Sequence, residues 1–579
     1  MNKLCTVWGE NLDLNNVLTE YPRPQMVRDN YRILNGYWDY AYGKDWPNTW
    51  DGNILVPFSP ETALSGVGRQ TKPGDVLWYR CNVDITGEEY RIDHRLLLQF
   101  GAVDQRCEVY VNRHLVGTHV GGYLPFTCDI TDVVTIGDNE LVLRVEDDSD
   151  HAHHARGKQK LKRGGMFYTA TSGIWQTVWM EWVPKKYIQR MWILPDVDAK
   201  RLDIQLFLYD EAVSEESLRV TIYDPQTHEV LLVENGSSVD LSPLPKLQLW
   251  TPQTPWLYDI DVVLTTDVGV DRVHSYFALR TFSLEKQPGE DFPRICLNHE
   301  PIYQRGVLDQ GYWPESMLTP PSDEAMIFDI TQMKNTGYNM VRKHIKIEPD
   351  RWYYHCDRLG LMVWQDMING GDMLHQWFVT YVATPLAYYH VPVKDHHAYL
   401  LSRTQEAGKE EFRREVVETI QLLKNHPSIC TWVIFNEGWG QFDTKNLTNL
   451  VRKADPTRLI DQASGWFDQR GGDFRSEHNY FFKLRTCTEP TRAYVLSEVG
   501  GRTCLVHGHS QVEKTYGYSK SESLDHLNEE YDKLQAGMDA LIPQGLCASV
   551  YTQWTDIEDE INGVYTYDRK VRKISEKKA

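Results

Sequence analysis

Short runs in which polar and apolar residues alternate fill the first third of the chain. The clearest are LWYRCNVDI (77–85), HRLLLQFGAV (94–103), CEVYVNRHLVG (107–117) and NELVLRVED (139–147), and Gly, Asp and Asn separate them. Alternation with a period of two is typical of half-buried β-strands, and closely spaced turn signals are typical of a sandwich. We therefore predict a β-sandwich domain over residues 1–184.

A second region with strand patterning follows, and it is shorter. Its clearest strands are RLDIQLFLYD (201–210), LRVTIYD (218–224) and LYDIDVVLTT (257–266), and SYFALRTF (275–282) ends it. About one hundred residues with this pattern fit a small immunoglobulin-like sandwich. We predict this second domain over residues 185–284.

Beyond residue 284 the pattern changes to apolar strands that alternate with helical segments. The strands include YNMVRKH (338–344), LMVWQDM (361–367), ICTWVIFNE (429–437), AYVLSEVG (493–500) and CASVYTQWTD (547–556). Regular alternation of this kind predicts a parallel sheet closed into a (β/α)₈ TIM barrel over residues 285–579. In that fold the active site lies at the carboxyl ends of the strands.

Composition narrows the classes of partner. The chain has 579 residues, with 81 acidic and 61 basic side chains and a net charge of −20, which disfavours nucleic acid and anionic membranes. Its 19 Trp and 32 Tyr suit flat, amphipathic ligands such as sugars.

No run of apolar residues is long enough for a signal peptide or a membrane span, and none of the ten Cys forms a CxxC pair. We predict a cytoplasmic protein with reduced cysteines.

Two polar segments of the first domain need an interpretation. The basic cluster RGKQKLKRGG (156–165) has no interleaved aromatic residues, and we predict a solvated loop in preference to a segment that lines a site. His151, His153 and His154 have no nearby Cys or carboxylate with the spacing of a tetrahedral metal site, so we predict a polar loop without metal.

Two glutamates follow apolar strands and precede glycine. Glu437 ends the strand in TWVIFNEGWG (431–440), and Glu498 ends the strand in AYVLSEVGG (493–501). Two carboxylates from two barrel strands converge on one pocket, and glycoside hydrolysis requires such a pair. The sequence therefore predicts a glycosidase centre, in preference to two ion-paired carboxylates at the barrel rim.

The string NHPSICTWVIFNEGWG (425–440) resembles the acid/base signature of glycoside hydrolase family 2. Residues 337–366, FALRTF (277–282) and residues 109–131 resemble the same family. The resemblance covers almost the whole chain. It implies an N-terminal sugar-binding jelly roll, an immunoglobulin-like sandwich and a catalytic TIM barrel, and it implies no cofactor and no metal.

The resemblance also implies roles for single residues. Glu437 would be the general acid/base on strand 4, and Glu498 the nucleophile on strand 7 of a retaining enzyme. Six further positions would bind or position the sugar: Asn436 at its 2-hydroxyl, Tyr480 beside the nucleophile, His344, Asp309 and Asp366 at hydroxyls, and Trp554 as an aromatic floor. For His344 a purely structural hydrogen bond is an open alternative, and for Trp554 plain core packing is one.

The substrate is less well defined by the sequence. Glucuronidases of the family hold the sugar carboxylate with an Asn-x-Lys pair, and INGVYTYDRK (561–570) has no lysine two positions after Asn562, which leaves Lys570 or Arg569 as substitutes. We rank an exo-acting β-galactosidase first. The alternatives are β-mannosidase, β-glucosidase, β-glucuronidase or arabinosidase activity, and a carbohydrate-binding protein on a degenerate scaffold. A homo-oligomer is left open.

Two expectations concern how the pocket is built. Only 61 residues separate Glu437 from Glu498, so the helices between strands 4 and 7 must be short or partly missing. Residues 121–126 and 151–166 of the first domain are glycine-rich or long enough to lean over the barrel mouth.

Overall fold

A computed structural model describes residues 4–209, 217–244, 246–375, 377–389, 391–513 and 516–576. Two antiparallel sheets pack face to face in the first domain, with strand orders β1-β14-β5-β9 and β3-β2-β4-β10-β7-β8. A short helix, α1 (Val7–Glu10), precedes them. The strands are β1 (Tyr31–Ile33), β2 (Gly36–Tyr42), β3 (Gly52–Val56), β4 (Leu77–Ile85), β5 (His94–Phe100), β6 (Val103–Asp104), β7 (Arg106–Val111), β8 (His114–Val120), β9 (Phe126–Asp129), β10 (Gly137–Glu146), β11 (Gln159–Lys160), β12 (Tyr168–Thr169), β13 (Gly173–Ile174) and β14 (Val178–Pro184).

The second domain is a smaller sandwich of a three-stranded and a four-stranded sheet, ordered β15-β16-β19 and β18-β17-β20-β21. Alternate residues of its central strands, such as Ile260, Val262 and Leu264, are fully buried between the sheets. The strands are β15 (Ile188–Asp196), β16 (Arg201–Leu208), β17 (Leu218–Tyr223), β18 (Val230–Asn235), β19 (Ser238–Asp240), β20 (Tyr258–Thr266) and β21 (Gly269–Phe277).

The third domain is a barrel of eight parallel strands, preceded by a small antiparallel sheet of β22 (Phe282–Lys286), β23 (Pro293–Leu297) and β24 (Glu300–Pro301). The barrel strands are β25 (Gln304–Asp309), β26 (Met340–Lys343), β27 (Met362–Asp366), β28 (Ile429–Val433), β29 (Leu459–Asp461), β30 (Phe474–Asn479), β31 (Ala493–Val499) and β32 (Leu546–Tyr551). Hydrogen bonds join neighbouring strands in the order β29-β28-β27-β26-β25-β32-β31-β30. The predicted architecture of two sandwiches and a TIM barrel is confirmed.

The barrel nearly closes between β29 and β30. The N–H of Asp473 donates to the carbonyl of Ile460 at 2.8 Å, and Ser476 Oγ donates to Asp461 Oδ2 at 2.8 Å. Every residue of β26, β28 and β31 is buried. Parallel strands covered on both faces are continuously apolar in sequence, so the runs around the two glutamates lack alternation.

Helices cover the outside of the barrel unevenly. They are α2 (Asp323–Asn335), α3 (Asp350–Leu359), α4 (Ala383–Tyr388), α5 (Glu406–Leu423), α6 (Thr444–Ala454) and α7 (Leu524–Asp539). Residues 462–492, all of which the structure describes, contain no helix. The expectation that helices between strands 4 and 7 are short or partly missing is confirmed, because α6 between β28 and β29 has 11 residues and only loops join β29, β30 and β31. No helix in the described part of the chain is long and apolar enough to cross a membrane.

The three domains share an interface that contains a cavity of about 600 Å³. Gln99 of the first domain, Arg190 of the second and Arg351 of the barrel domain line it. Neither Glu437 nor Glu498 lies among its lining residues. This cavity is therefore separate from the predicted reaction centre.

A buried histidine at the entrance to β28 anchors that strand. The ring nitrogens of His426 lie 2.7 Å from Asp357 Oδ2 and 2.7 Å from Asp350 Oδ1, and Tyr276 of the second domain lies 3.3 Å away. Burial opposes a charge on the ring, but the two carboxylates dominate and raise the pKa of His426 to about 9. The charged ring therefore ties α3 to the strand that leads to Glu437.

The raised pKa of His426 makes stability depend on pH. A histidine whose folded pKa exceeds its unfolded value contributes fully below about pH 6.5, and this contribution disappears as the pH rises through about 9. We expect the charge of His426 to contribute about 3 kcal/mol at pH 6. The urea unfolding midpoints of wild type and His426→Asn, measured at pH 6, 8 and 10, should therefore converge with rising pH. His228→Asn, at an exposed position, is the control; a gap for His426→Asn that is constant over this range contradicts the assignment.

Candidate active site

Glu437 and Glu498 lie at the carboxyl end of the barrel, on opposite flanks of β29 and β30. Glu437 follows β28 in a left-handed conformation, with φ of 50°, and its N–H donates to the carbonyl of Ser464 at 3.0 Å. Glu498 lies within β31. Both side chains are largely buried, since Glu437 is 8% exposed and Glu498 is 5% exposed. The conformation of Glu437 is uncommon outside glycine and points to a functional constraint.

His478 and Tyr480 connect the two carboxylates. One carboxyl oxygen of each glutamate and a ring nitrogen of His478 lie within 4.8 Å of one another. His478 Nδ1 is 2.8 Å from Glu437 Oε1, and Nε2 is 3.8 Å from Glu498 Oε1. The Tyr480 hydroxyl lies 2.7 Å from Glu498 Oε2 and 3.0 Å from Glu437 Oε1. Carboxyl groups this close can act on the same bond of one substrate.

Arg342, on β26, is the fully buried cation of the centre. Its Nε and one terminal nitrogen donate to the two oxygens of Asp366 at 2.9 and 3.0 Å. The guanidinium also donates to Glu498 Oε1 at 3.2 Å, to the Ser497 carbonyl at 3.0 Å and to Asn436 Oδ1 at 2.8 Å. Arg342 thus positions side chains from β27, from β31 and from the turn after β28 at once.

The electrostatic surroundings keep Glu498 ionised. Burial alone would raise the pKa of its carboxyl group, but electrostatic interactions with His478 and Arg342 outweigh that effect and lower it to about 2. Burial also raises the pKa of Tyr480 well above its usual value, and the charges of Glu437 and Glu498 act in the same direction. Tyr480 is therefore a neutral hydrogen-bond donor beside an ionised carboxylate.

His344 and Asp366 form a second layer around Arg342. His344 Nδ1 lies 2.7 Å from Asp366 Oδ2, so Nδ1 carries the proton and Nε2 is an acceptor. Burial, followed by the charges of Lys158 and Arg342, lowers the pKa of His344 well below its usual value. Burial raises the pKa of Asp366, although Arg342 counteracts it. The structure thus brings Asn436, Tyr480, His344 and Asp366 together with the two glutamates.

Asp309 and Trp554 contact other groups than the two glutamates. Asp309 Oδ2 accepts a hydrogen bond from Lys343 Nζ at 2.6 Å, and Oδ1 accepts one from the N–H of Gly311. Trp554 is fully buried and packs against Tyr565, with ring centroids 5.1 Å apart. In the described part of the chain none of their hydrogen bonds or ring contacts reaches either glutamate. Their assignment to the sugar site remains a prediction.

The first domain sends its segment 147–169 across the barrel mouth. His154 Nδ1 is 2.7 Å from Glu411 Oε2 on α5, and Arg163 donates to Asp559 Oδ1 at 2.7 Å. The N–H of Arg156 donates to the carbonyl of Asn369 at 3.0 Å. The prediction of a solvated loop for residues 156–165 is wrong for this reason, and the expectation that residues 151–166 lean over the mouth is confirmed.

Two clusters bring nitrogen and oxygen atoms close enough to ligate a cation. One consists of His153, His154 and Glu411, and the other of Glu437, His478 and Glu498. Sequence spacing gave the histidines no carboxylate partner, and the fold supplies Glu411 from a distant helix. In both clusters the contacts described above already give the carboxylates hydrogen-bond partners, and the expectation of no metal remains a prediction.

Three site residues were not singled out from the sequence. Arg342 is a charged residue within the apolar strand of YNMVRKH, and a charge in a fully buried strand is a usable signal. His478 precedes Tyr480 by two positions, and alternate residues of a strand face the same side. Lys158 has no comparable signal, because its place depends on the packing of one domain against another.

Curated relatives of two kinds align with this chain. A β-glucuronidase of Streptococcus agalactiae serotype V is 24% identical over 72% of the chain and 68% of its own length. A β-galactosidase of Photobacterium profundum is 25% identical over 67% of the chain and 35% of its own length. A β-galactosidase of Vibrio vulnificus strain YJ016 is 25% identical over 71% of the chain and 37% of its own length. The chain thus spans well under half the length of these β-galactosidases.

Solved structures share the whole fold. The β-D-glucuronidase of Dictyoglomus thermophilum superposes with a TM-score of 0.72, at 17% identity, over 96% of this chain and 100% of its own. The Ruminococcus gnavus β-glucuronidase also gives a TM-score of 0.72, at 16% identity, over 96% and 98%. At this level of identity the likeness concerns the fold alone.

Family models match each of the three domains in turn. The sugar binding domain of glycosyl hydrolases family 2 matches residues 63–184, a second domain described as glycosyl hydrolases family 2 matches residues 186–280, and the family's TIM barrel domain matches residues 292–494. The three matches follow one another in chain order and cover most of the chain. The chain therefore belongs to glycoside hydrolase family 2.

Proposed function

We propose that the protein is a retaining exo-β-glycosidase that releases a terminal sugar by double displacement. The observation that supports this most directly is the close pair of Glu437 and Glu498, with carboxyl oxygens within 4.8 Å. Retaining glycosidases place their carboxyl groups roughly 5 to 5.5 Å apart, whereas inverting enzymes leave about 6.5 to 9.5 Å for a water molecule.

In the first step Glu498 is the nucleophile. A carboxylate oxygen bonds to the anomeric carbon as the bond from that carbon to the leaving oxygen breaks, and Glu437 transfers a proton to the leaving oxygen. Because its pKa is about 2, Glu498 is ionised at neutral pH, as this step requires. Tyr480 donates a hydrogen bond to Oε2 of this carboxylate and Arg342 donates one to Oε1, and together these two contacts fix its orientation for attack.

In the second step water attacks the anomeric carbon from the face that the leaving group vacated. Glu437 accepts the proton from that water, the bond to Glu498 breaks, and the sugar leaves with its original anomeric configuration. Asn436, whose Oδ1 is held by Arg342, is positioned to contact the sugar 2-hydroxyl. The segment 147–169 contacts the barrel loops at the mouth, which favours a pocket for one terminal sugar over an open cleft.

Two classes of glycone fit this proposal: a neutral hexose, as in a β-galactoside, and a uronic acid. The relatives include proteins named for each class, a β-galactosidase and a β-glucuronidase. The sequence left Lys570 and Arg569 as carboxylate ligands, but Lys570 pairs with Glu10 and Arg569 with Asp329. A uronic acid would therefore require a different cation.

The nucleophile can be identified by loss of activity and by rescue. We expect Glu498→Ala to lower kcat/KM for p-nitrophenyl β-glycosides by about 10⁴-fold or more, because no other group forms the covalent intermediate. Azide added to this variant should attack from the face opposite the leaving group and yield an α-glycosyl azide. An active Glu498→Ala enzyme contradicts the assignment, whereas a wild type that hydrolyses no glycoside favours a carbohydrate-binding protein.

The acid/base can be identified by its dependence on the leaving group. We expect Glu437→Ala to impair substrates with poor leaving groups by about 10²- to 10⁴-fold and activated aryl glycosides much less, because a good leaving group needs little protonation. Here azide should intercept the glycosyl-enzyme and yield a β-glycosyl azide. Equal losses for all leaving groups, without azide products, exclude Glu437 from this role.

Arg342 should control the acidic limb of the pH profile. Its charge lowers the pKa of Glu498, so we expect Arg342→Gln to raise that pKa and shift the acidic limb of kcat/KM toward higher pH. Arg342→Lys keeps the positive charge, so the acidic limb of kcat/KM should stay close to its wild-type pH. Circular dichroism of both variants checks the fold, and an unchanged limb in a folded Arg342→Gln enzyme contradicts the electrostatic role.

A further inference from the structure

Lys158 carries its ammonium group into the pocket from the first domain. The residue is 8% exposed, and its Nζ lies 5.8 Å from the centroid of the Trp439 ring and 5.7 Å from that of Tyr168. Trp439 belongs to the turn that carries Glu437, since its N–H donates to the carbonyl of Asn436 at 2.9 Å. Lys158 is therefore held beside the catalytic turn by two aromatic faces.

The ammonium of Lys158 lacks a counter-ion. In the residues that the structure describes it forms neither a hydrogen bond nor an ion pair. Other cations of the same segment are engaged: Arg163 pairs with Asp559, and Arg156 donates to the carbonyls of Ala152, Gly371 and Asp372. A nearly buried cation without an anion is unfavourable unless a ligand supplies the opposite charge.

Four buried cations of the barrel domain are already paired. Each of them contacts a carboxylate of its own: Arg342 with Asp366, Lys343 with Asp309, Arg569 with Asp329, and Lys573 with Asp556. The charge of Lys158 reaches the reaction centre, because it lowers the pKa of both Glu498 and His344. Lys158 thus lies close to the groups that surround the sugar.

We propose that Lys158 forms an anion-binding subsite of the glycone pocket, and that the protein acts on β-glycosides whose terminal sugar bears a negatively charged group. The group is a carboxylate, as in a uronic acid, or a sulfate ester. This inference rests on the proposed function and deepens it. A lysine ammonium is a compact charge that accepts either anion without the planar geometry that arginine imposes. A neutral hydroxyl would accept a hydrogen bond from Lys158 but leave its charge uncompensated.

Matched substrates isolate the charged group. p-Nitrophenyl β-glucuronide and β-glucoside differ only in the oxidation state of C6, and β-galactoside 6-sulfate differs from β-galactoside only by the sulfate. We expect wild type to prefer the charged member of at least one pair. Lys158→Met should lower kcat/KM for that member by about 100-fold, and for its neutral partner only a few-fold.

Two further variants control for general effects of the substitution. Lys162→Met removes an exposed lysine from the same segment and should leave both kcat/KM values unchanged. Lys158→Arg keeps the charge and should restore part of the preference. If Lys158→Met does not fold, judged by its melting temperature, Lys158→Gln takes its place. Preference for the glucuronide identifies a carboxylate as the ligand, and preference for the sulfated galactoside identifies a sulfate.

The outcomes separate this inference from the proposed function. If wild type and Lys158→Met hydrolyse neutral glycosides equally and charged ones poorly, the inference is overturned and the glycosidase assignment stands. If no glycoside is hydrolysed, the glycosidase assignment fails, and calorimetric titration with D-glucuronic acid and D-galactose 6-sulfate then decides the subsite. If wild type binds either charged sugar and Lys158→Met does not, the subsite is supported. If wild type binds neither of them, the subsite is overturned.

Discussion

The structure of the candidate active site depends on the shared guanidinium of Arg342. It is fully buried, and it binds Asp366 of β27, Glu498 of β31 and the amide oxygen of Asn436 in the turn after β28. A buried charge is strongly unfavourable when one of its partners is removed. The same set of hydrogen bonds therefore fixes the relative positions of these strand ends and favours the ionised form of Glu498.

The turn after β28 is built around two constraints. Glu437 and Gly438 both have positive φ angles, of 50° and 73°. A Cβ atom at position 438 would collide with the ring of Phe467, so only glycine allows this aromatic ring to pack under the turn. The motif NEGWG thus combines a carboxylate in an uncommon conformation, a glycine that admits an aromatic wall, and a tryptophan whose ring faces Lys158.

Charge complementarity joins the first domain to the barrel. The chain carries a net charge of −20, and the acidic groups Glu411, Glu558 and Asp559 of the barrel domain receive the segment 147–169. Because this segment also carries Lys158, the contacts that hold the domains together deliver a positive charge to the pocket. The contacts that hold these two domains together therefore also fix the position of Lys158 beside Trp439.

The sequence by itself determined the class of each domain and the two glutamates. Period-two alternation and continuous apolar runs depend on local burial, and the carboxyl ends of parallel strands meet at one edge. Glu437 and Glu498 could therefore be singled out from the sequence pattern alone. Tertiary structure decided the rest. Arg342, His478 and Glu411 acquire their partners across strands, and Lys158 across domains, at separations in sequence that no periodicity encodes. Electrostatic interaction acts through space, so the charges that tune Glu498 became identifiable only once the chain was folded.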